Sequence, residues 1–200
     1  SDALTPLAWW GAHTESIRLG TGIVQMSART PAATAMAAMT LDHLSGGRFI
    51  LGLGASGPQV VEGWYGQPYP KPLARTREYV QIVRDIVRRE APVDFHGEFF
   101  DMPLRAEDGQ RGTGLGKPLK STIHPLRNEI PIFLGAEGPK NVALAGEICD
   151  GWLPLFFSPK EDGFYRKCLA EGFAKSGEPG KADRFEVAST VYIIPGDDAE

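Results

Sequence analysis

The sequence has few of the features that mark secreted, membrane or nucleic-acid-binding proteins. Its 200 residues include only two cysteines, Cys149 and Cys168, which are too few for a disulfide framework and predict a cytoplasmic location. No apolar run approaches the ~18 residues of a membrane helix, and we expect neither a membrane anchor nor a secretory leader. The net charge of -4, from 21 basic and 25 acidic residues, argues against binding to nucleic acid.

Clusters of metal ligands are also missing. None of the four histidines lies at metal-ligand spacing from another, so we expect no metal site. Cys149 ends an apolar helical pattern and is expected to be a packed core thiol, and we expect the same of Cys168. Asp42 is an isolated acid, which we expect on a solvated surface.

The sequence does have the composition of a folded core, with 42% hydrophobic and 23% charged residues. The mass of 21.7 kDa fits one domain, or a part of a larger one, over residues 1–200. Helical patterns separate five apolar segments, and the hydrophobic period is lost between 91 and 129, where we expect a hairpin and an irregular insertion. The predicted strands cover residues 16–24, 49–54, 130–134, 151–157 and 185–194.

Alternating strands and helices predict an α/β fold with a parallel sheet. Because the predicted strands are apolar on both faces, both faces of the sheet should be buried. An open doubly wound sheet and a (β/α)8 barrel both satisfy this pattern. A closed barrel needs eight strands and typically ~250 residues, so a barrel would be only partly represented by this chain.

In both architectures ligands bind beyond the carboxyl ends of the strands. The segments that follow the predicted strands are rich in glycine and poor in paired acids, histidines and nucleophiles. This composition is more typical of a site where the backbone closely approaches a bound cofactor than of a hydrolytic site. These segments are 25–29, 55–58, 137–141, 157–158 and 195–198.

Residues 52–57 match the G-x-G-x-x-G pattern of dinucleotide-binding folds. Gly63 and Gly66 interrupt the helix that should follow, and Lys71 lies where the ribose-binding acid of that fold belongs. We interpret the motif as a cofactor-facing glycine loop outside the Rossmann class. Tight packing where a barrel strand turns is the alternative.

A second candidate is an anion site where a predicted strand enters a helix. The first turn of that helix offers free N–H groups from Gly138, Lys140 and Asn141, and the helix dipole and the lysine both favour phosphate there. An ordinary Gly-Pro helix start explains the pattern equally well.

In the first predicted strand, Gly22 interrupts a β-branched run, which predicts a bulge, a close approach to a flat ligand, or a tight strand crossing.

Several motifs in order resemble those of one known family, the luciferase-like monooxygenases. The stretch 56–64 is similar to the branch of that family that uses the deazaflavin coenzyme F420 rather than FMN. The resemblance runs from about residue 17 to residue 157. The matching motifs are residues 17–24, 29–31, 40–48, 51–54, 131–136, 138–141, 145–147 and 150–152.

The resemblance implies a partial (β/α)8 TIM barrel, in which the five strands are the third to the seventh and should follow one another in that order. It also implies a non-prolyl cis peptide at Gly22-Ile23, behind the deazaflavin ring, and phosphate contacts at the helix that starts near residue 138. Motifs and resemblance together assign ten residues to cofactor binding: Gly22, Ile23, Gln25, Gly54, Ser56, Gly57, Glu137, Gly138, Lys140 and Asn141.

By the same resemblance, we expect a coenzyme F420-dependent oxidoreductase that transfers hydride between the deazaflavin and an unidentified small organic substrate. An FMN-dependent monooxygenase is the alternative enzyme, and a non-catalytic flavin-binding protein is the alternative of another class. Proton-transfer residues of the family lie on its second strand, so no catalytic residue is assigned in this chain. The glutamate of the family's sugar-phosphate dehydrogenases is not found at Ser56 or Gly57, which argues against that substrate. A homo-oligomer of the full-length protein stays open.

Overall fold

The computed structural model describes residues 2–104, 112–191 and 196. Short 3-10 helices lie at Met26–Ala28 and Pro159–Glu161. The strands are β1 (Leu19–Gly20), β2 (Val24–Gln25), β3 (Phe49–Gly54), β4 (Phe95–His96), β5 (Asp101–Met102), β6 (Ile132–Gly135), β7 (Gly151–Leu153) and β8 (Glu186–Val187). The helices are α1 (Thr5–Ala12), α2 (Pro31–Leu44), α3 (Pro58–Val61), α4 (Pro72–Arg88), α5 (Pro139–Ile148), α6 (Asp162–Ser176) and α7 (Lys181–Arg184).

The main sheet is parallel and has the predicted order. Its strands follow one another as β1, β3, β6, β7 and β8, and β2 continues the line of β1 along β3. The prediction of five parallel strands that follow one another in chain order is therefore confirmed. Every residue of β3 is buried, as expected of a central strand with helices on one face and the barrel interior on the other.

The sheet is strongly curled, and an ion pair between its two edges demonstrates this curvature. Arg18, next to β1, donates from both terminal guanidinium nitrogens to the carboxylate of Glu186 in β8, at 2.9 and 2.7 Å. In a flat sheet, strands at these positions would lie roughly 19 Å apart, beyond the reach of two side chains. The chain therefore forms a partial (β/α)8 barrel rather than an open sheet.

Helices α2, α4 and α5 cover the outer face of the sheet and form the core with it. The hydroxyls of Thr34 on α2 and Tyr79 on α4 lie 2.6 Å apart inside this layer, and burial raises the pKa of Tyr79 to about 12. Cys149 and Cys168 are both free and buried, which confirms the prediction of packed thiols. Burial raises the pKa of Cys149 to about 12, so this thiol stays protonated at neutral pH.

The prediction that Asp42 lies on a solvated surface was wrong. Its side chain is only 1% exposed, and it accepts hydrogen bonds from Arg127, whose Nε lies 3.1 Å from Oδ2. Arg127 also donates to the carbonyl of Phe49 at 2.9 Å. The arginine belongs to the insertion 91–129, which covers Asp42 and is held against α2. Local periodicity does not reveal a partner 85 positions away in the chain.

The insertion contains the expected hairpin, in which β4 and β5 pair antiparallel. The carboxylate of Glu78 on α4 accepts the backbone N–H groups of Glu98, Phe99 and Phe100 at 2.8 to 3.1 Å. This carboxylate anchors the hairpin turn on α4. Residues 105–111 of the insertion lie outside the described residues.

Two predicted strands end earlier in the structure than expected. The strand expected over 151–157 ends at Leu153, because Pro154 has no N–H to continue the ladder. The strand expected over 185–194 pairs only at Glu186–Val187, and residues 192–195 lie outside the described residues. Among the described helices, none has both the length and the apolar character that a membrane crossing requires.

Candidate functional site

A cleft of about 450 Å³ opens at the carboxyl ends of the parallel strands, where the topology predicts the ligand. Its volume lies within the range of small-molecule and cofactor sites. Seven of the ten predicted residues line it. The lining residues are Gly22, Ile23, Gln25, Gly54, Ala55, Ser56, Tyr69, Gly135, Ala136, Glu137, Asn141, Leu153, Pro154, Leu155 and Thr190.

One wall of the cleft is a bulge between β1 and β2. Gly20 pairs with Ile50 and Val24 pairs with Leu53, so three residues of this strand lie opposite two residues of β3. The Gly22-Ile23 peptide bond within the bulge is cis. The bulge and the cis bond predicted from the interrupting glycine and the resemblance are both confirmed.

Ile23 forms the floor of the cleft by packing on two glycines. A Cβ added to Gly54 would lie 2.5 Å from Ile23 Cδ1, and one added to Gly135 would lie 2.9 Å from Ile23 Cγ2. Larger residues at these strand ends would displace the isoleucine. At Gly22, by contrast, an added Cβ would meet no atom within 4 Å, so the backbone there is open to a ligand.

The glycine motif at 52–57 has two different roles. A Cβ at Gly52 would lie 1.8 Å from the carbonyl oxygen of Thr21, so this glycine serves the tight packing that was the alternative interpretation. Gly54 lines the cleft, as the cofactor interpretation predicts, and Gly57 does not. Instead, the carbonyl of Gly57 accepts the N–H of Val61 at 2.9 Å and begins α3.

Two polar groups of the cleft wall distinguish it from a packing defect. The side-chain oxygen of Gln25 is buried and has no hydrogen-bond partner among the described residues. Ser56 has a left-handed backbone with φ of 60°, and its carbonyl accepts the hydroxyl of Tyr69 at 2.8 Å. Burial raises the pKa of Tyr69. Tyr69 lies in a loop without hydrophobic period, and no sequence signal pointed to it.

The start of α5 forms the opposite wall. Glu137 Oε1 accepts the N–H of Leu155 at 2.7 Å, and Asn141 Nδ2 donates to the carbonyl of Glu137 at 3.1 Å. These bonds hold the loop after β7 and the first turn of α5 together. Gly138 precedes the helix with φ of 76°, and Lys140 is exposed beside the cleft. Neither residue lines it, so the phosphate cradle stays a prediction.

The walls suit a flat, polar-edged ring more than a metal ion. Within the described part of the chain, no group of three or more His, Cys, Asp or Glu side chains could hold a metal. The open backbone at Gly22 and the apolar floor at Ile23 could contact a ring face, and the orphaned oxygen of Gln25 could accept a hydrogen bond from a ring N–H. The site and fold together define a partial TIM-barrel protein with a cofactor-sized cleft.

Comparison with known proteins agrees with this description. The sequence model of the luciferase-like monooxygenase family matches residues 1–200, and the chain belongs to this family. It is 62% identical over 198 residues to a Mycobacterium tuberculosis protein provisionally named a coenzyme F420-dependent oxidoreductase, covering 99% of this chain and 56% of that protein. It is 37% identical over 166 residues to the 5,10-methylenetetrahydromethanopterin reductase of Archaeoglobus fulgidus, covering 82% and 44%.

A solved structure gives the same result for the fold. The coenzyme F420-dependent tetrahydromethanopterin reductase from Methanopyrus kandleri superposes with a TM-score of 0.74 and 26% identity. The superposition covers 94% of this chain and 54% of the reductase. The chain thus spans about half the length of the relatives that it matches.

Proposed function

We propose that the full-length protein is a coenzyme F420-dependent oxidoreductase. The observation that carries the proposal is the cleft at the strand ends, where Ile23 provides an apolar floor and Gln25 an unpaired buried acceptor. The names of the 62% identical relative and of the Methanopyrus kandleri reductase support coenzyme F420 as the cofactor. The substrate is a small organic molecule whose identity these residues do not define.

The residues of the cleft have distinct roles in this proposal. Coenzyme F420, when bound, supplies the hydride chemistry. Gly22, Ile23 and Gly54 contact the ring and exclude water from one of its faces, while Gln25 orients the ring through a hydrogen bond. Ser56, with Gly57 beside it, closes the edge of the cleft.

The first turn of α5 would bind the phosphate of the cofactor. Its N–H groups have no intrahelical acceptors, and the helix dipole favours an anion there. Glu137 and Asn141 hold this turn against the loop after β7, Gly138 allows a close approach, and Lys140 adds positive charge. The cytoplasmic location and a homo-oligomeric state belong to the same proposal.

The test is cofactor retention by the full-length protein. The purified protein is incubated separately with coenzyme F420 and with FMN, excess cofactor is removed, and the absorbance of the retained chromophore is recorded. We expect retention of F420 and its reduction or oxidation with a small organic substrate. Retention of FMN alone would favour the monooxygenase, and retention of F420 without turnover for any substrate would favour a flavin-binding protein.

The phosphate site has its own test in Lys140→Glu. We expect this variant to bind F420 more weakly by about 1–2 kcal/mol, because a like charge replaces a favourable one at the helix start. Folding should change little, since an acid in a first turn is tolerated. The measurement is a cofactor titration of wild type and variant at two salt concentrations, and equal affinities with equal salt dependence would exclude Lys140 as a phosphate contact.

A further inference from the structure

Thr21 is a buried polar residue at the bulge for which the cofactor contacts give no role. The residue is only 3% exposed. The hydroxyl accepts the N–H of Gly52 at 2.8 Å and donates to the carbonyl oxygen of the same residue at 2.8 Å. One side-chain oxygen therefore satisfies both main-chain groups of a buried central-strand residue.

These two bonds replace a section of the parallel ladder. In a regular ladder, the N–H and C=O of Gly52 would pair with backbone groups of the neighbouring strand. Here the neighbouring strand carries one extra residue between Gly20 and Val24, and the hydroxyl of Thr21 takes the place of its backbone. The absence of a Cβ at Gly52 is required for this approach, since a Cβ would lie 1.8 Å from Thr21 O.

We propose that Thr21 is a positioning residue that sets where Gly22 and Ile23 lie in the cleft, and hence how the cofactor ring is held. Without the hydroxyl, two buried main-chain groups of Gly52 lose their partners. The strand recovers those hydrogen bonds only by closing the bulge, which moves Ile23 off Gly54 and Gly135. Thr21 itself does not line the cleft, so it acts through its neighbours. The inference rests on the proposed function.

The variants are chosen so that the hydroxyl is the only difference tested. Thr21→Ala and Thr21→Ser remove the same methyl group, and only the serine retains the hydroxyl. Valine is unsuitable, because its second methyl would approach both Gly52 atoms at hydrogen-bond distance. Thr34→Ala is the matched control, since Thr34 is also a fully buried threonine with a side-chain hydrogen bond, 2.6 Å to Tyr79, between α2 and α4.

The experiment is a titration of each full-length variant with coenzyme F420, followed by absorbance and fluorescence, together with thermal unfolding. We expect Thr21→Ala to raise the F420 dissociation constant about tenfold and Thr21→Ser to stay within about twofold of wild type. Thr34→Ala should lower the Tm comparably and retain wild-type affinity. If Thr21→Ala does not fold, Thr21→Cys replaces it, with a loss of affinity larger than that of the serine variant.

Wild-type affinity in Thr21→Ala or its cysteine replacement, with a lowered Tm, would overturn the inference and leave Thr21 a purely structural residue. Equal losses in the alanine and serine variants would overturn it as well. A wild type that binds FMN and not F420 would overturn the proposed function alone, and the variants would be compared with FMN. A wild type that binds neither would overturn both.

Discussion

Glycines near the cleft have different structural roles, which the sequence pattern alone does not distinguish. Gly52 and Gly22 both adjoin the bulge, yet a Cβ at Gly52 would collide with backbone and one at Gly22 would enter open space. The G-x-G-x-x-G pattern could not separate Gly52 from Gly54, because their neighbours come from a different strand. The role of each glycine depends on which residues lie next to it in the folded structure, and not on the local sequence pattern.

This difference predicts opposite phenotypes for two alanine variants. Gly52→Ala should lower the free energy of unfolding by about 3 kcal/mol or more, because overpacking against backbone cannot relax easily. Gly22→Ala should leave the Tm nearly unchanged and weaken F420 binding, because its methyl group would enter the cleft. Thermal unfolding and F420 titration of both full-length variants check the prediction. A destabilised Gly22→Ala with normal affinity would contradict the assignment of Gly22 to the cofactor face.

At the scale of elements, the sequence predicted strand positions better than strand lengths. Apolar runs marked all five strands, and the family resemblance implied their order, which the structure has. Strand ends were predicted less well: the local residue Pro154 ends β7, and β8, which pairs with β7, is paired only over Glu186–Val187 among the described residues. The site was predicted in the segments that follow strands. Tyr69 enters the cleft from a loop without a periodic signal, and Leu155 lines it because β7 ends earlier than the predicted strand.

The contact between α4 and α5 contains an ion pair that should make stability depend on pH. Arg77 donates from both terminal nitrogens to the carboxylate of Glu147, at 2.8 and 2.7 Å. The hydrogen bonds from Arg77 lower the pKa of Glu147 from its ordinary value of 4.5. Because the pKa of Glu147 is lower in the folded protein, the ion pair stabilises the fold fully at a pH above the ordinary value of 4.5. This stabilisation is lost as the pH falls through the lowered folded-state pKa.

We therefore expect Glu147→Gln to destabilise the full-length protein at pH 7 by about 0.5–1 kcal/mol, as is typical of a partly exposed pair. The difference from wild type should shrink as the pH falls below 4.5. Denaturant unfolding at pH 7 and at acidic pH measures it. Glu171→Gln, at an exposed position on α6 for which the described residues show no ion pair, is the control and should have no effect at either pH. A constant difference at both pH values would contradict the role of the ion pair.

At the scale of the whole molecule, the curled sheet has two edges, at β1 and at β8. Arg18 and Glu186 connect these edges through exposed side chains, and the relatives are about twice as long as this chain. A (β/α)8 barrel contains three further strands, which would continue the sheet at both edges. The N–H and C=O groups of an open edge are otherwise free to pair with a second copy of the chain.

This arrangement predicts that one substitution has opposite effects in two contexts. Val187 in β8 is 46% exposed here, and Val187→Lys should reduce self-association of residues 1–200 expressed alone, because a charged edge residue opposes intermolecular pairing. In the full-length protein the same lysine should be destabilising by about 1–3 kcal/mol, because a neighbouring strand and helix would bury it. Val191→Lys, at a position 77% exposed and outside any strand, is the matched control and should be neutral in both. Sedimentation velocity and denaturant unfolding provide the two measurements. A full-length protein that tolerates Val187→Lys would show that no further strand covers β8, contrary to a closed barrel.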